Sequence, residues 1–191
     1  MNTKDTLKKT WRFIWHDDSW ASWFVNIIIA FILVKFLIYP GLGFMLGTTH
    51  PVVAVISGSM EHEVQGFDYW WSLNKDIYLK FDINKSEFAD YKFTRGFNKG
   101  DLMILMKPKD IKKGDVIVFW ASVDEPIIHR VVKINNGTYQ TKGDNGITNK
   151  LSRFDEINIT PDRIIGKASV RVPYLGWAKL AFVELLNKLF H

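Results

Sequence analysis

The feature that most limits what this chain can become is an apolar run from Trp20 to Tyr39, broken by one charge at Lys35 and followed by Pro40-Gly41. Its length matches the roughly 20 residues a helix needs to cross a hydrocarbon core about 30 Å thick. Lys35 lies near the end of the run, where its long side chain can reach outward to the interface. Trp11, Trp15, Trp20 and Trp23 gather around its start, and indoles favour a membrane interface. The run is too long for a removable leader, and no small-x-small site follows Pro40. A transmembrane anchor over 19–40 is therefore expected, with Pro40-Gly41 ending its helix. Lys4, Lys8, Lys9 and Arg12 precede it. The positive-inside rule leaves residues 1–18 as a cytoplasmic amphipathic tail on the membrane surface and puts everything after residue 40 outside.

The rest of the chain must fold in water. With 191 residues, 47% of them hydrophobic, one domain with a real core plus small additions is the natural reading. The net charge of +5 is dispersed among acidic residues, so no nucleic-acid stripe is present. Cysteine is absent, which removes disulfides, a thiol nucleophile and Cys-based metal sites. Val52–Ile56, Leu102–Met106, Val116–Phe119, Ile127–Ile134, Tyr139–Thr141 and Ile164–Val172 are short apolar or β-branched runs punctuated by turn residues, the pattern of strands. Asn135-Asn136-Gly137 signals a hairpin. The chain is thus expected to be mainly β: an antiparallel β domain over 41–173 behind the transmembrane helix. A small α/β insertion over 64–98 carries a helix near Lys85–Tyr91. Leucines and aromatics at helical spacing over Leu175–Phe190 predict a C-terminal amphipathic helix within 174–191. The aromatic stretch Phe67–Trp71 and this last helix are candidate membrane-interface contacts.

Three residues could carry chemistry. Ser59 lies in Ser57-Gly58-Ser59-Met60, a turn that can present a small hydroxyl. A serine hydroxyl becomes a nucleophile only when a neighbour takes its proton. His129, in Pro126-Ile-Ile-His-Arg-Val-Val, offers imidazole, the side chain that changes charge near neutral pH. Asp144, in Gly143-Asp144-Asn145, could fix the imidazole tautomer. Read bare, each residue has a structural alternative: a turn serine, a satisfied strand histidine and a turn aspartate. A metal held by Glu61, His62 and His129 is a further alternative, but no ligand spacing supports it.

In chain order, Ser57-Gly58-Ser59-Met60, Lys113-Gly114-Asp115-Val116-Ile117-Val118-Phe119, Ile128-His129-Arg130-Val131-Val132 and Thr141-Lys142-Gly143-Asp144-Asn145 together resemble signal peptidase I in its archaeal and endoplasmic-reticulum form. The resemblance covers the anchor and most of residues 50–170. It implies a membrane-bound serine endopeptidase that removes N-terminal signal peptides from exported preproteins. Ser59 would attack, with His129 as base where the bacterial branch has a lysine. Ser57, with the Ser59 N–H, would bind the oxyanion. No cofactor or metal is implied. The partners implied are preproteins, the lipid bilayer and the protein-export channel, at a cell membrane crossed once.

The sequence departs from the family pattern in three places. His62 stands where proline commonly follows in Ser-Met-x-Pro. Residues 64–98 lengthen the link from Ser59 to the next strand. The positions five and six after Asp144 are Asn149 and Lys150, where an aspartate is common. Asp144 is therefore the first choice for the orienting carboxylate and Asp155 the second, with a Ser59–His129 dyad as a third arrangement. The alternatives in function are another membrane serine peptidase and a non-catalytic membrane-anchored β module that binds exported chains.

Overall fold

A computed structural model describes residues 3–62, 66–121, 126–147, 151–153 and 156–190. The chain divides into two compact units, Met1–Met45 and Leu46–His191.

In the first unit, helix α1 (Thr3–His16) precedes helix α2 (Trp20–Leu33). Ser19 caps α2, its hydroxyl accepting from the Ser22 N–H at 3.2 Å, which satisfies one of the free donors of a helix start. Ser22 Oγ donates to Phe13 O at 2.6 Å and Asn26 Nδ2 to Ile14 O at 2.9 Å. Two side-chain donors of this apolar helix thus reach main-chain carbonyls at the end of α1. A π-helical turn, Val34–Ile38, joins α2 to α3 (Tyr39–Leu46). The resulting apolar helix spans Trp20–Leu46, 27 residues, long and apolar enough to cross a membrane.

The helix therefore runs through Pro40 instead of ending there. Proline lacks an N–H and its ring crowds the carbonyl four residues back. A widened π turn immediately before it relieves that crowding. The stop falls at Gly47, whose φ of 66° is the left-handed conformation that closes helices.

The second unit is built on a six-stranded sheet of order β1-β2-β6-β3-β4-β5, every pair antiparallel. The strands are β1 (Val52–Ala54), β2 (Leu102–Met106), β3 (Val116–Trp120), β4 (Pro126–Asn135), β5 (Thr138–Lys142) and β6 (Ile164–Val172). The mainly antiparallel β class and the single N-terminal apolar helix agree with the sequence reading. Asn136 and Gly137, with φ of 43° and 81°, make the β4–β5 turn, because both central positions of such a turn need positive φ.

Strand alternation sorts the core. Val116 and Val118 join Val55, Met60, Phe97, Met103 and Leu105 in one buried cluster. Ile117 and Phe119 join Val131, Ile159 and Ile164 in another. Neighbouring residues of β3 thus serve different clusters, as a period of two requires. The same alternation puts His129 and Arg130 of β4 on opposite faces of the sheet.

The segment expected to be a small α/β insertion carries, among the described residues, two helices and no strand: α4 (Phe67–Leu79) and α5 (Lys85–Ala89). Asn84 caps α5 through the Glu87 N–H at 3.0 Å. Trp70, Trp71, Tyr78, Ile83 and Phe88 form a third buried cluster with Val132 of β4. Trp70 and Trp71 are thereby corrected from membrane contacts to core residues. Their large apolar area gains more from burial against the sheet than from exposure. The chain closes with helix α6 (Gly176–Phe190).

Candidate active site

The turn after β1 is fixed by its neighbours in sequence and by distant main chain. The Glu61 N–H closes it on Gly58 O at 3.1 Å, and Phe97 N–H donates to Met60 O at 3.1 Å. Met60 is fully buried. Burying the thioether draws Met60 inward and leaves its neighbour Ser59 part-exposed. Gly96 permits this approach, since a Cβ there would lie 2.2 Å from Met60 O. Ser57 Oγ and Ser59 Oγ are 3.1 Å apart. Among the described contacts Ser59 Oγ pairs with Ser57 and not with His129. Serine–base hydrogen bonds often close only with substrate in place.

The Gly143-Asp144-Asn145 loop comes off β5 directly onto this turn. The Asn145 N–H donates to Ser59 O at 2.9 Å, and Asn145 Nδ2 donates to Gly58 O at 3.1 Å. The Asp144 N–H contacts Met60 Sδ at 3.3 Å. The structure thus brings together Ser57, Ser59 and the loop carrying Asp144.

It does not bring Asp144 to His129. Asp144 is fully buried and takes Arg130 Nε at 3.0 Å and Nη2 at 2.6 Å, with the Tyr78 hydroxyl at 2.8 Å. His62 Nε2 stands 3.5 Å away. Burial opposes ionisation, but the Arg130 guanidinium and the neighbouring His62 ring hold the Asp144 carboxyl well below the usual carboxylate range. Arg130 spends its remaining donors on Lys92 O, Gly114 O and Phe93 O at 2.9, 2.9 and 3.0 Å, so all five guanidinium N–H groups are engaged. Phe88 lies under it, 4.7 Å from ring centroid to Cζ.

His129 is the strand neighbour of Arg130 and so points to the opposite face. It is buried, and its Nδ1 meets Glu156 Oε1. Glu156 is held in turn by the Arg153 N–H at 2.6 Å on Oε2 and by Thr141 Oγ1 at 3.5 Å on Oε1. With Nδ1 committed to a carboxylate, Nε2 is the ring nitrogen left to accept a proton. Sequence reasoning missed Glu156, and Asp155 lies outside the described residues. One signal was readable: two adjacent strand residues cannot share one acid across the sheet, and a buried Arg130 needs an acid of its own. His62 replaces proline by stacking flat on Trp70, with ring centroids 3.8 Å apart, a contact that only the helical segment α4 could supply.

Lys142 is the remaining buried charge beside this group. Burial pushes its pKa down from the lysine range to about 8, with Asp144 and Glu156 opposing the fall. Its Nζ donates to Gly143 O at 2.5 Å and lies 5.0 Å from the Tyr78 ring centroid. A lowered folded pKa means that the unfolded chain binds the extra proton between about pH 8 and the ordinary lysine value, so wild-type stability rises with pH across that window. Below pH 8 the cost is fully present, on the order of 3 kcal/mol. Lys142→Met should therefore stabilise the chain more at pH 7 than at pH 10.5. Thermal unfolding of both proteins in detergent at the two pH values checks this, and an unchanged difference refutes it.

No protein-family model matches the chain. Curated relatives do. Over 150 residues, 73% of the chain, it is 27% identical to the catalytic subunit SEC11C of the human signal peptidase complex. Over 162 residues, 78% of the chain and 76% of the relative, it is 26% identical to the catalytic subunit SEC11 of Komagataella phaffii. The same subunit of Plasmodium falciparum is 25% identical over 178 residues, 89% of the chain and 77% of the relative. The chain is a homologue of signal peptidase catalytic subunits. The match spans 61% of the length of the mammalian relative. In this signal peptidase homologue, the serine turn and the Gly-Asp-Asn loop meet main chain to main chain, and the histidine rests on a glutamate beyond the loop.

Proposed function

We propose that the chain is a membrane-bound serine endopeptidase that removes N-terminal signal peptides from exported preproteins. The observation that carries this reading is a buried His129 imidazole fixed through Nδ1 on Glu156, in a chain whose relatives are named signal peptidase catalytic subunits.

The chemistry is acyl transfer. His129 Nε2 takes the proton from Ser59 Oγ, which attacks the scissile carbonyl carbon. The oxyanion is met by the Ser59 N–H and the Ser57 hydroxyl. His129 returns the proton to the leaving amine, which becomes the amino terminus of the mature protein. Water, deprotonated by the same imidazole, then hydrolyses the ester and releases the signal peptide. Glu156 takes the tautomer-fixing role first given to Asp144, and Asp144 with Arg130 holds the loop against the nucleophile turn.

The Trp20–Leu46 helix supports anchoring in a bilayer, with the basic tail cytoplasmic and the β domain outside. Anchoring restricts encounter to preproteins still tethered by their own apolar segments, which raises effective concentration. Proximity to the export channel follows from the same substrates.

The test is processing of a preprotein by the purified full chain in detergent, with the product amino terminus read by mass spectrometry. A single cut after a small-x-small sequence is expected. No cut, or a cut elsewhere, overturns the reading.

A further inference from the structure

A cavity opens beside the nucleophile turn, between α4 and the loop that follows β5. Glu61, Trp70, Leu73, Asn74, Asn145 and Ile147 line its roughly 180 Å³. An engineered cavity of about 150 Å³ accepts benzene, so this one has room for a side chain. Glu61 of its wall is two residues from Ser59 in the chain. Asn145 of its wall holds Ser59 O and Gly58 O, and a Cβ on Gly58 would come 2.9 Å from Glu61 Oε2.

The lining holds one carboxylate and one amide oxygen that can meet a cation, beside the buried Trp70 Nε1–H, a donor without a partner among the described contacts. Glu61 Oε1 accepts the Lys99 N–H at 2.9 Å, and among the described residues no ion pair involves Glu61. Asn74 Nδ2 donates to Trp70 O at 2.9 Å, which turns its Oδ1 towards the loop. A Cβ on Gly146 would lie 1.7 Å from that oxygen, so only glycine allows so close an approach. Trp70 contributes an indole fixed by the His62 stack, and indoles attract cations. Leu73 and Ile147, 60% and 71% exposed, form an apolar rim. A carboxylate, an amide oxygen and an indole under an apolar rim, with no Lys or Arg in the lining, suit a long side chain with an apolar stem and a cationic end.

We infer that this cavity is a substrate subsite that takes a lysine or arginine side chain from the first residues after the scissile bond. The inference rests on the function proposed above. The signal side of a cleavage site is apolar with small residues at the cut, and it has no use for a carboxylate. The mature side is ordinary polar polypeptide, and Glu61 follows Ser59 by two residues.

Binding separates the subsite from catalysis. The full chain carrying Ser59→Ala, in detergent micelles, would be titrated with labelled peptides that span a small-x-small site and bear Lys or Glu among the first three residues after it. Lys peptides should bind at least fivefold tighter than Glu peptides. Adding Glu61→Gln should shrink the gap to within twofold, and Leu73→Glu, at an exposed position that the fold tolerates, should widen it. Equal binding of both peptides, a gap that survives Glu61→Gln, or a preference set by Lys before the small-x-small site overturns the subsite. Cleavage of the same peptides by the chain with Ser59 intact tests the proposed function separately. Charge-selective binding without cleavage removes the peptidase reading and leaves the cation subsite. Cleavage without charge selectivity does the reverse.

Discussion

Ser59→Ala is expected to lower kcat for signal-peptide removal by about 10⁶-fold, and Glu156→Gln by about 10⁴-fold. The first substitution removes the atom that forms the ester. The second keeps the shape of the side chain but offers Nδ1 an amide in place of a carboxylate, so the imidazole is no longer held in the tautomer that accepts a proton at Nε2. The loss should fall on kcat, because Glu156 touches His129, Thr141 and Arg153 and not the cavity beside Ser59. Steady-state cleavage of a preprotein, with thermal unfolding as a folding control, reads both numbers. Glu156→Asp should recover part of the rate, since it restores the charge on a shorter arm. Asp144→Asn discriminates the two carboxylates: it should cost stability first. If it lowers kcat as far as Glu156→Gln while the protein stays folded, the orienting role returns to Asp144.

The second large effect is on stability. Arg130→Met should cost about 3–5 kcal/mol, because removing one partner of a buried ion pair strands the other charge. Arg130 and Asp144 are both fully buried, and the pair is bonded at 2.6 Å. In the wild type the folded Asp144 pKa is depressed. Its contribution to stability is therefore complete above the unfolded aspartate value of about 3.9, and it is lost as pH falls towards the lower folded value. In Arg130→Met the carboxyl is buried without its cation, and protonation relieves it. The deficit should then shrink between pH 7 and pH 4. The double variant Arg130→Met, Asp144→Leu should recover much of the loss, since paired charges replaced by apolar groups of similar size are often tolerated. Unfolding of the single and double variants at both pH values decides this, and a deficit independent of pH argues against a stranded Asp144.

The strands were readable from the chain because β-branched and apolar runs end at turn residues. The β2 and β6 limits, Leu102–Met106 and Ile164–Val172, coincide with the apolar runs of the sequence. The end of the apolar helix was not readable, because Pro40 ordinarily stops a helix and nothing local announces the π turn that accommodates it. Phe67–Trp71 suggested a membrane contact by composition alone, whereas helical spacing lets α4 and α5 turn Trp70, Tyr78 and Phe88 into one buried cluster. Of the candidate site, Ser57, Ser59 and His129 were legible from short motifs. Glu156 sits in a stretch without periodicity, and only the tertiary path from β5 back towards β4 brings it to His129. Arg130 lay beside His129 in the same motif, but its need for a private counter-ion becomes plain only when the alternation of β4 is taken literally.

The bond from Asn145 Nδ2 to Gly58 O joins residues 87 apart in sequence, and this has a consequence for the order of events during synthesis. The serine leaves the ribosome early, whereas the loop that holds its turn and the glutamate that seats its base leave late. At about 5–20 residues per second, several seconds pass in which the hydroxyl is already made and has nothing to activate it. Such high contact order slows folding. On the proposed function, a nascent or truncated copy would be inert as a hydrolase until nearly the whole β domain has been translated.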